Sequence, residues 1–312
     1  MLDCGKVKFS MVKVGFVVAL RALVIIGRSF DDNNKQLYRA CKELIRETYL
    51  ARIMNMSASI SSDGSRFWVG YREVKDIDVC FLRSFDAGSY EQIIRRIGLV
   101  RHLSETGTFV VNPLEPLLMV RDKYSTLFTL ARHGLPIPET YVTESAYWAY
   151  RKTQKFKQTV YKPISGALGF GAMKFDDSDL AFNAYKRLEE LSVPLYVQEY
   201  LENQQRDIRA FVVGDKIVAA MHRIASKNSW KTNIALGNEP KPLQLPKNLA
   251  NMAVKATKAL GLIYAGVDML ETKNGPVLLE VNGSPSWQGL GRVSGVDVAK
   301  VLVEHVLSLI RR

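Results

Sequence analysis

Near one end of the chain the sequence runs IYAGVDMLETKNGPVLLEVNGSP, two apolar strands that double back at Asn274-Gly275. Asn-Gly is a strong short-range hairpin signal, because the turn that best matches strand twist needs positive φ at both central positions. Asp268 lies in the first strand, and Glu280 and Asn282 lie in the second. Side chains alternate along a strand, so Glu280 and Asn282 face one side, and the hairpin brings Asp268 near them. Burying a carboxylate without a partner is costly. Three oxygen-bearing side chains in apolar strands suit Mg²⁺, which takes a few carboxylates and completes its shell with phosphate oxygens. Polar caps at a strand end are the simpler alternative.

With 312 residues the chain exceeds what one core usually serves, since single cores stop growing near about 250–300 residues; two or three lobes are expected. The longest apolar run, VGFVVALRALVII, is interrupted by Arg21 and is shorter than the ~18 residues of a membrane span. It has no small-residue cleavage site, so a cytoplasmic protein is expected. Cys4, Cys41 and Cys80 are too scattered for a disulfide framework or a zinc site. The formal charge of +12 invites a nucleic-acid reading, but the Lys and Arg are dispersed without a basic block or aromatic platform. Anionic small substrates account for the charge equally well.

The pattern predicts a first strand in VKVGFVVAL, a helix over 34–49, a strand in DIDVCFLRS, a helix over 89–106 closing at Gly107, and a strand in TFVVN. Together these describe a small parallel α/β lobe. Proline punctuation then surrounds a helix over 120–133. A strand over 158–162, a glycine loop, a helix over 178–191 and the strand LYVQEYL follow. A hairpin turning at Gly214-Asp215, a polar loop over 225–246, a helix over 249–260, the opening hairpin and a last helix over 296–310 complete the chain.

The glycine loop sits in TVYKPISGALGFGAMKF. Lys162, ending a strand, supplies a point charge, and the glycines let backbone amides approach an anion with no side chain between. A nucleoside triphosphate fits such a site, although a tight turn would explain the glycines alone. Neither a Walker A loop nor a Rossmann glycine fingerprint is present. Trp68 and Trp148 are expected in packing roles, as are Trp230 and Trp287, for which stacking on a flat ring is the alternative.

The ordered segments RDKYSTLFTLARHGLPIPET, VYKPISGALGFGAMKF, VQEYLENQQRDIRAFVVGDKIVAAMHR, WKTNIALGN and AGVDMLETKNGPVLLEVNGSPSW resemble RimK-like ATP-grasp ligases from about Val120 onward. The resemblance implies an α/β ATP-grasp fold with an N-terminal Rossmann-like lobe. Its expected divisions are a pre-ATP-grasp lobe over 1–118, a lid subdomain over 119–200 and a metal- and substrate-binding subdomain over 201–312. It implies an ATP-dependent enzyme, using Mg²⁺ or Mn²⁺, that joins the amine of L-glutamate to an anionic carboxylate-bearing acceptor through an acyl phosphate.

By the same resemblance, Lys123 and Lys162 hold ATP phosphates beneath a loop containing Gly166, Gly169 and Gly171. Gln198, Glu199, Tyr200 and Leu201 surround adenine, while Asp207 and the segment Lys231, Thr232, Asn233 contact nucleotide. Asp268, Glu280 and Asn282 bind metal, and Arg209 and Arg223 face the reaction centre. Arginine there could grip a carboxylate bidentately or stabilise an oxyanion. The segment EVNGSPSWQGL departs from the carrier-protein ligases, and WKTNIALGN lacks the Arg-Gly-Gly of the ribosomal-tail type. The remaining likeness is to archaeal ligases that add glutamate to tetrahydromethanopterin, with Arg83, Ser84 and Arg95 expected at the acceptor. Peptide tails, deazaflavin coenzymes, amino-group carrier proteins and a non-catalytic ATP-binding module are the alternatives. Dimers or tetramers are implied, and neither membrane nor nucleic acid is an expected partner.

Overall fold

The computed structural model describes residues 18–164, 166, 169–202, 205–226, 229–232 and 238–311. Strand β1 (Val18–Ile26) is buried from Ala22 onward, the near-continuous apolar run that a parallel strand covered on both faces requires. Asp31 caps α1 (Asp32–Leu44), its side chain accepting from the Asn34 N–H at 2.9 Å. The helix ends at Leu44, five residues before its expected limit, and β2 (Ile45–Arg52) pairs parallel to β1. Ile45, Thr48 and Tyr49 are strand-favouring, and a ladder to β1 outweighs the helical periodicity of this stretch.

A meander of β3 (Met56–Ser61), β4 (Gly64–Val69) and β5 (Arg72–Val74) follows. No expectation covered it. Its strands bury little beyond Met56, Phe67 and Val74, so the hydrophobic pattern is faint. Strand β6 (Val79–Leu82), helix α2 (Tyr90–Glu105) and β7 (Phe109–Val111) complete a four-stranded parallel sheet ordered β2-β1-β6-β7. Ser89 and Gln92 form a capping box at the start of α2.

The helix expected over 120–133 is α4 (Lys123–Arg132), and a short helix that was not expected, α3 (Leu114–Met119), precedes it. Asp122 starts α4 by accepting from the N–H groups of Tyr124 at 2.9 Å and Ser125 at 3.3 Å. Strand β8 (Thr140–Thr143), α5 (Ala146–Phe156), β9 (Thr159–Lys162), β10 (Met173–Phe175), α6 (Ser178–Glu190) and β11 (Leu195–Glu199) build an antiparallel sheet ordered β10-β9-β11-β8, packed on α5 and α6. Strand β8 and α5 had no counterpart in the sequence reading. Trp148, on α5, is 56% exposed and makes an edge contact with Tyr147, so it is not a packing residue.

The third sheet is antiparallel, ordered β14-β13-β12-β15-β16, from β12 (Arg206–Val213), β13 (Lys216–Ile224), β14 (Glu239–Pro242), β15 (Tyr264–Thr272) and β16 (Gly275–Asn282). Strand β14 lies within the expected polar loop. Helix α7 (Lys247–Ala259) and α4 cover one face of this sheet, through Leu127, Leu130, Leu249, Ala253 and Ala256. Helix α8 (Gln288–Ser294) leads to α9 (Val298–Ile310), which packs against α1 and β12 and places Leu302, Val303 and Val306 in a core shared with the parallel sheet.

Polar ties cross between the parallel sheet and the third, chiefly through the side chains of Asn112 and Arg83. Asn112, fully buried, donates through Nδ2 to the carbonyls of Tyr264 (2.8 Å) and Gly283 (2.6 Å), and its Oδ1 accepts from the N–H groups of Ile263 (2.7 Å) and Tyr264 (3.1 Å). Arg83 donates to the Tyr264 hydroxyl and the Pro285 carbonyl, both at 2.9 Å, and lies over the Trp287 ring at 4.6 Å.

Candidate active site

A cleft of about 440 Å³ opens between the second and third sheets. Its floor is the face of the third sheet opposite α4 and α7, and alternation along β12 explains the division. Ile208, Ala210 and Val212 point into the core, while Asp207 and Arg209 line the cleft. Pairing aligns the charges in rows: Asp207 stands opposite Arg223, and Arg209 opposite Asp268, which stands opposite Glu280.

The last alignment depends on a bulge. Thr272 pairs with Gly275 and Met269 with Leu278, so an unbroken ladder would set Leu279 against Asp268. The register shift after Asp268 places Glu280 there instead, re-aiming a side chain as bulges beside active sites do.

Four side chains on this floor form a buried, charge-balanced network. Arg223 donates from Nε to Asp207 Oδ1 (2.8 Å) and from Nη2 to Asp207 Oδ2 (2.5 Å), and Nη2 lies 3.0 Å from Asp268 Oδ2. Arg209 donates from Nη2 to Asp268 Oδ2 at 2.9 Å, with its Nε against Oδ1. Burial pushes the Asp268 carboxyl up, but the positive charges and hydrogen bonds of Arg209 and Arg223 outweigh it, and the group is held below the usual carboxylate range. Burial likewise lowers Arg223, and the paired carboxylates of Asp268 and Asp207 more than reverse it. Gly266 lets Arg209 lie close: a Cβ there would come within 2.8 Å of Nη1 and 2.7 Å of the Pro285 ring.

The lysines stand across the cleft. Lys123 donates to the Gly166 carbonyl at 3.1 Å and lies 3.5 Å from Glu280 Oε1. Lys162 donates to Gln198 Oε1 at 2.7 Å, and Gln198 donates onward to Thr140 Oγ1 at 2.9 Å. Burial, reinforced by the Lys123 charge and opposed by Glu280, Asp268 and Asp207, lowers the Lys162 ammonium below the ordinary lysine range. The unfolded chain therefore holds more protons at this position just below that range, and stability gains a contribution as pH rises through it. A bound polyanion favours the charged form and cancels the gain. We expect the wild type, relative to Lys162→Met, to stabilise with rising alkaline pH when free and to lose that slope with bound nucleotide. Thermal melts across that window check it.

Gln198, Glu199, Tyr200 and Leu201 line the cleft beside the second sheet, with Val160, Met221, Leu270 and Leu279 supplying apolar surface suited to a flat ring. Lys231 donates to the Gly169 carbonyl at 3.1 Å, and Thr232 to Asp207 Oδ2 at 2.6 Å. Gly166 and Gly169 line the cleft. Gly171 is not among the lining residues; it packs on Pro163, whose ring an added Cβ would approach within 2.9 Å. Asn233 lies outside the described residues.

Arg83, Ser84 and Arg95 do not line the cleft. Arg83 serves the tie between sheets, Ser84 Oγ accepts from the Asp86 N–H at 2.8 Å, and Arg95 contacts the Met56 carbonyl. Trp287 is buried against Phe211 and cannot stack on a ligand, whereas Trp230 lines the cleft. Sequence reading missed Phe170, Ser286 and Gln288, which also line it; the last two directly follow the hairpin that was singled out.

The oxygen-bearing side chains expected to meet a divalent cation, Asp268, Glu280 and Asn282, all line the cleft, two carboxylates and an amide. Asp268 Oδ1 is buried against Arg209 Nε but makes no aligned hydrogen bond. The described residues contain no cluster of three His, Cys, Asp or Glu able to hold a metal. The donor set fits a hard cation.

Residues 120–306, more than half of the chain, match the model of the RimK-like ATP-grasp domain. The chain belongs to the RimK-like ATP-grasp family. A tetrahydromethanopterin:alpha-L-glutamate ligase of Methanocaldococcus jannaschii is 36% identical over 242 residues, covering 76% of this chain and 81% of that one. A probable alpha-L-glutamate ligase of Histophilus somni is 31% identical over 72% of this chain and 78% of its own. The ATP-grasp ligase PsnB, solved with a minimal precursor, Mg and ADP, superposes with a TM-score of 0.72 at 20% identity, over 93% of this chain and 98% of that one, and shows the shared fold. Membership makes this ATP-grasp protein an ATP-dependent ligase that forms amide bonds from a carboxylate and an amine. No helix among the described residues is long and apolar enough to cross a membrane.

Proposed function

We propose that the chain adds L-glutamate to the carboxylate of a tetrahydromethanopterin-type coenzyme, with ATP and Mg²⁺, through an acyl phosphate. The likeness to the Methanocaldococcus jannaschii ligase over three quarters of the chain carries the choice of acceptor. Mn²⁺ meets the same oxygen donors.

In this reading Gln198 to Leu201 seat adenine, and Lys123 and Lys162 balance the phosphates beside Gly166 and Gly169. Asp268, Glu280 and Asn282 would hold a divalent cation, whose charge would offset the repulsion between the phosphates and an anionic nucleophile. An acceptor carboxylate oxygen bonds to the γ-phosphorus and ADP leaves. The glutamate amine then attacks the acyl carbon, loses a proton, and inorganic phosphate departs. Arg209 and Arg223, fixed by carboxylates on one side, present charge to the oxygens of this centre. Preorganisation matters because an acyl phosphate is readily lost to water.

The test is ADP release with Mg-ATP and glutamate, varying only the acceptor: reduced pterin coenzyme, deazaflavin coenzyme, a glutamate-ending peptide, or none. We expect a pterin-dependent rate and a product heavier by one glutamyl residue in the mass spectrum. Turnover with deazaflavin or peptide alone would replace the acceptor while keeping the ligase. Nucleotide binding without turnover on any acceptor would refute the acceptor assignment.

A further inference from the structure

The resemblance places Asp207 among the nucleotide contacts, but the geometry points elsewhere. Asp207 is buried, and both carboxylate oxygens are occupied: Oδ1 by Arg223 Nε at 2.8 Å, Oδ2 by Arg223 Nη2 at 2.5 Å and Thr232 Oγ1 at 2.6 Å. A bidentate carboxylate fixes a guanidinium in plane and direction, not merely in position. Asp268 takes Nη2 as well, at 3.0 Å. Nη1 is thus the one guanidinium nitrogen of Arg223 with no partner among the described residues, on a side chain that lines the cleft.

We propose that Asp207 is a positioning residue that aims Arg223 Nη1 at the reacting oxygens, and that Thr232 holds Asp207 in register. The assignment rests on the reading of Arg223 as a cation of the reaction centre. Charge balance supports it. Without Asp207, Arg223 and Arg209 would share Asp268 alone, and Arg223 would be drawn along β12 toward Asp268 and away from its fixed direction. The backbone next to Thr232 is itself anchored at Lys231. Ser229 Oγ accepts from the Lys231 N–H at 3.1 Å, Asn238 Nδ2 donates to the Lys231 carbonyl at 2.7 Å, and Lys231 Nζ reaches the Gly169 carbonyl. The phosphate loop at Gly169 and the direction of Arg223 are therefore joined through adjacent residues of one segment. A group that places developing charge correctly should govern what becomes of the acyl phosphate more than how tightly nucleotide binds.

The experiment compares Asp207→Asn, Thr232→Val and Thr232→Ser with the wild type. Calorimetry with Mg²⁺ and a non-hydrolysable ATP analogue gives the nucleotide Kd, and turnover counts ADP and amide separately. We expect each Kd to stay within threefold of wild type, while amide formed per ADP falls at least threefold in Asp207→Asn and Thr232→Val and returns in Thr232→Ser. A Kd raised more than threefold would reinstate the nucleotide contact and overturn the proposal. So would ADP and amide falling together with their ratio unchanged, the sign of a merely structural role. Should Asp207→Asn fail to fold, Thr232→Val, which exchanges one hydroxyl for a methyl, carries the same measurements. The Kd arm needs no turnover, so a wild type that binds nucleotide and makes no amide counts against the ligase reading, while the variants' Kd values still decide whether Asp207 touches nucleotide.

Discussion

Arg223→Ala is expected to lower kcat for amide formation by about 10²–10³, the usual loss when a preorganised donor is removed from a developing oxyanion. It is also expected to cost about 3–5 kcal/mol of stability, the range for breaking a buried pair by deleting one partner. The second figure applies because the side chains of Arg223 and Asp207 are only 6% and 5% exposed, so solvent screens little of the lost interaction. Among the described residues, removing Arg223 leaves Asp207 with only the Thr232 hydroxyl, and Asp268 with Arg209 as its one paired cation. Arg223→Lys separates the two effects. An ammonium restores one positive charge to the network but cannot span both Asp207 oxygens, so most of the stability should return while the rate stays low. Denaturant titration and steady-state kinetics on both variants check this. Arg223→Lys at wild-type rate would remove Arg223 from the reaction centre and reduce it to a buried counter-ion.

Glu280 and Asn282 were legible as one face because period two is strict, and the same rule puts Asp207 and Arg209 on one face of β12, although those two and Arg223 were named from the family resemblance. What could not be read was the row in which each would fall. The bulge that sets Glu280 opposite Asp268 is a local departure from the ladder with no compositional mark. The pairing of Asp207 with Arg223 needs the register across Gly214-Asp215, which itself contains an irregularity between Phe211 and Val212. Arg83 shows the converse failure. The resemblance put Arg83 at the acceptor, yet Tyr264 and Pro285, about two hundred residues on in the chain, claim its guanidinium. Sequence separation on that scale leaves no local trace. The meander over β3 to β5 escaped for a different reason, since it buries too few side chains to impose a period.

Asn112 carries the same lesson to its largest expected effect on stability. Its amide satisfies two carbonyls and two N–H groups of the third sheet from a position at the end of β7 in the parallel one, using every donor and both acceptor directions it has. Asn112→Leu keeps similar bulk and leaves those four backbone groups without their partner. A buried polar group left unsatisfied costs about 1–3 kcal/mol, so even the low end for four groups amounts to about 4 kcal/mol, a large share of the roughly 5–15 kcal/mol that holds a domain together. Asn112→Asp should fare little better, because it retains the acceptor oxygens but turns a negative charge toward the Tyr264 and Gly283 carbonyls. The damage should also reach the cleft. Gly283 follows Asn282, and a Cβ there would approach Leu117 and Val120 within 2.9 Å, so the backbone at this metal-ligand candidate is held both by the Asn112 amide and by close packing on α3. Urea unfolding should show the midpoint falling sharply in Asn112→Leu. A variant within 1 kcal/mol of wild type would mean that the sheets are held by their apolar contacts alone and that the amide merely occupies the space between them.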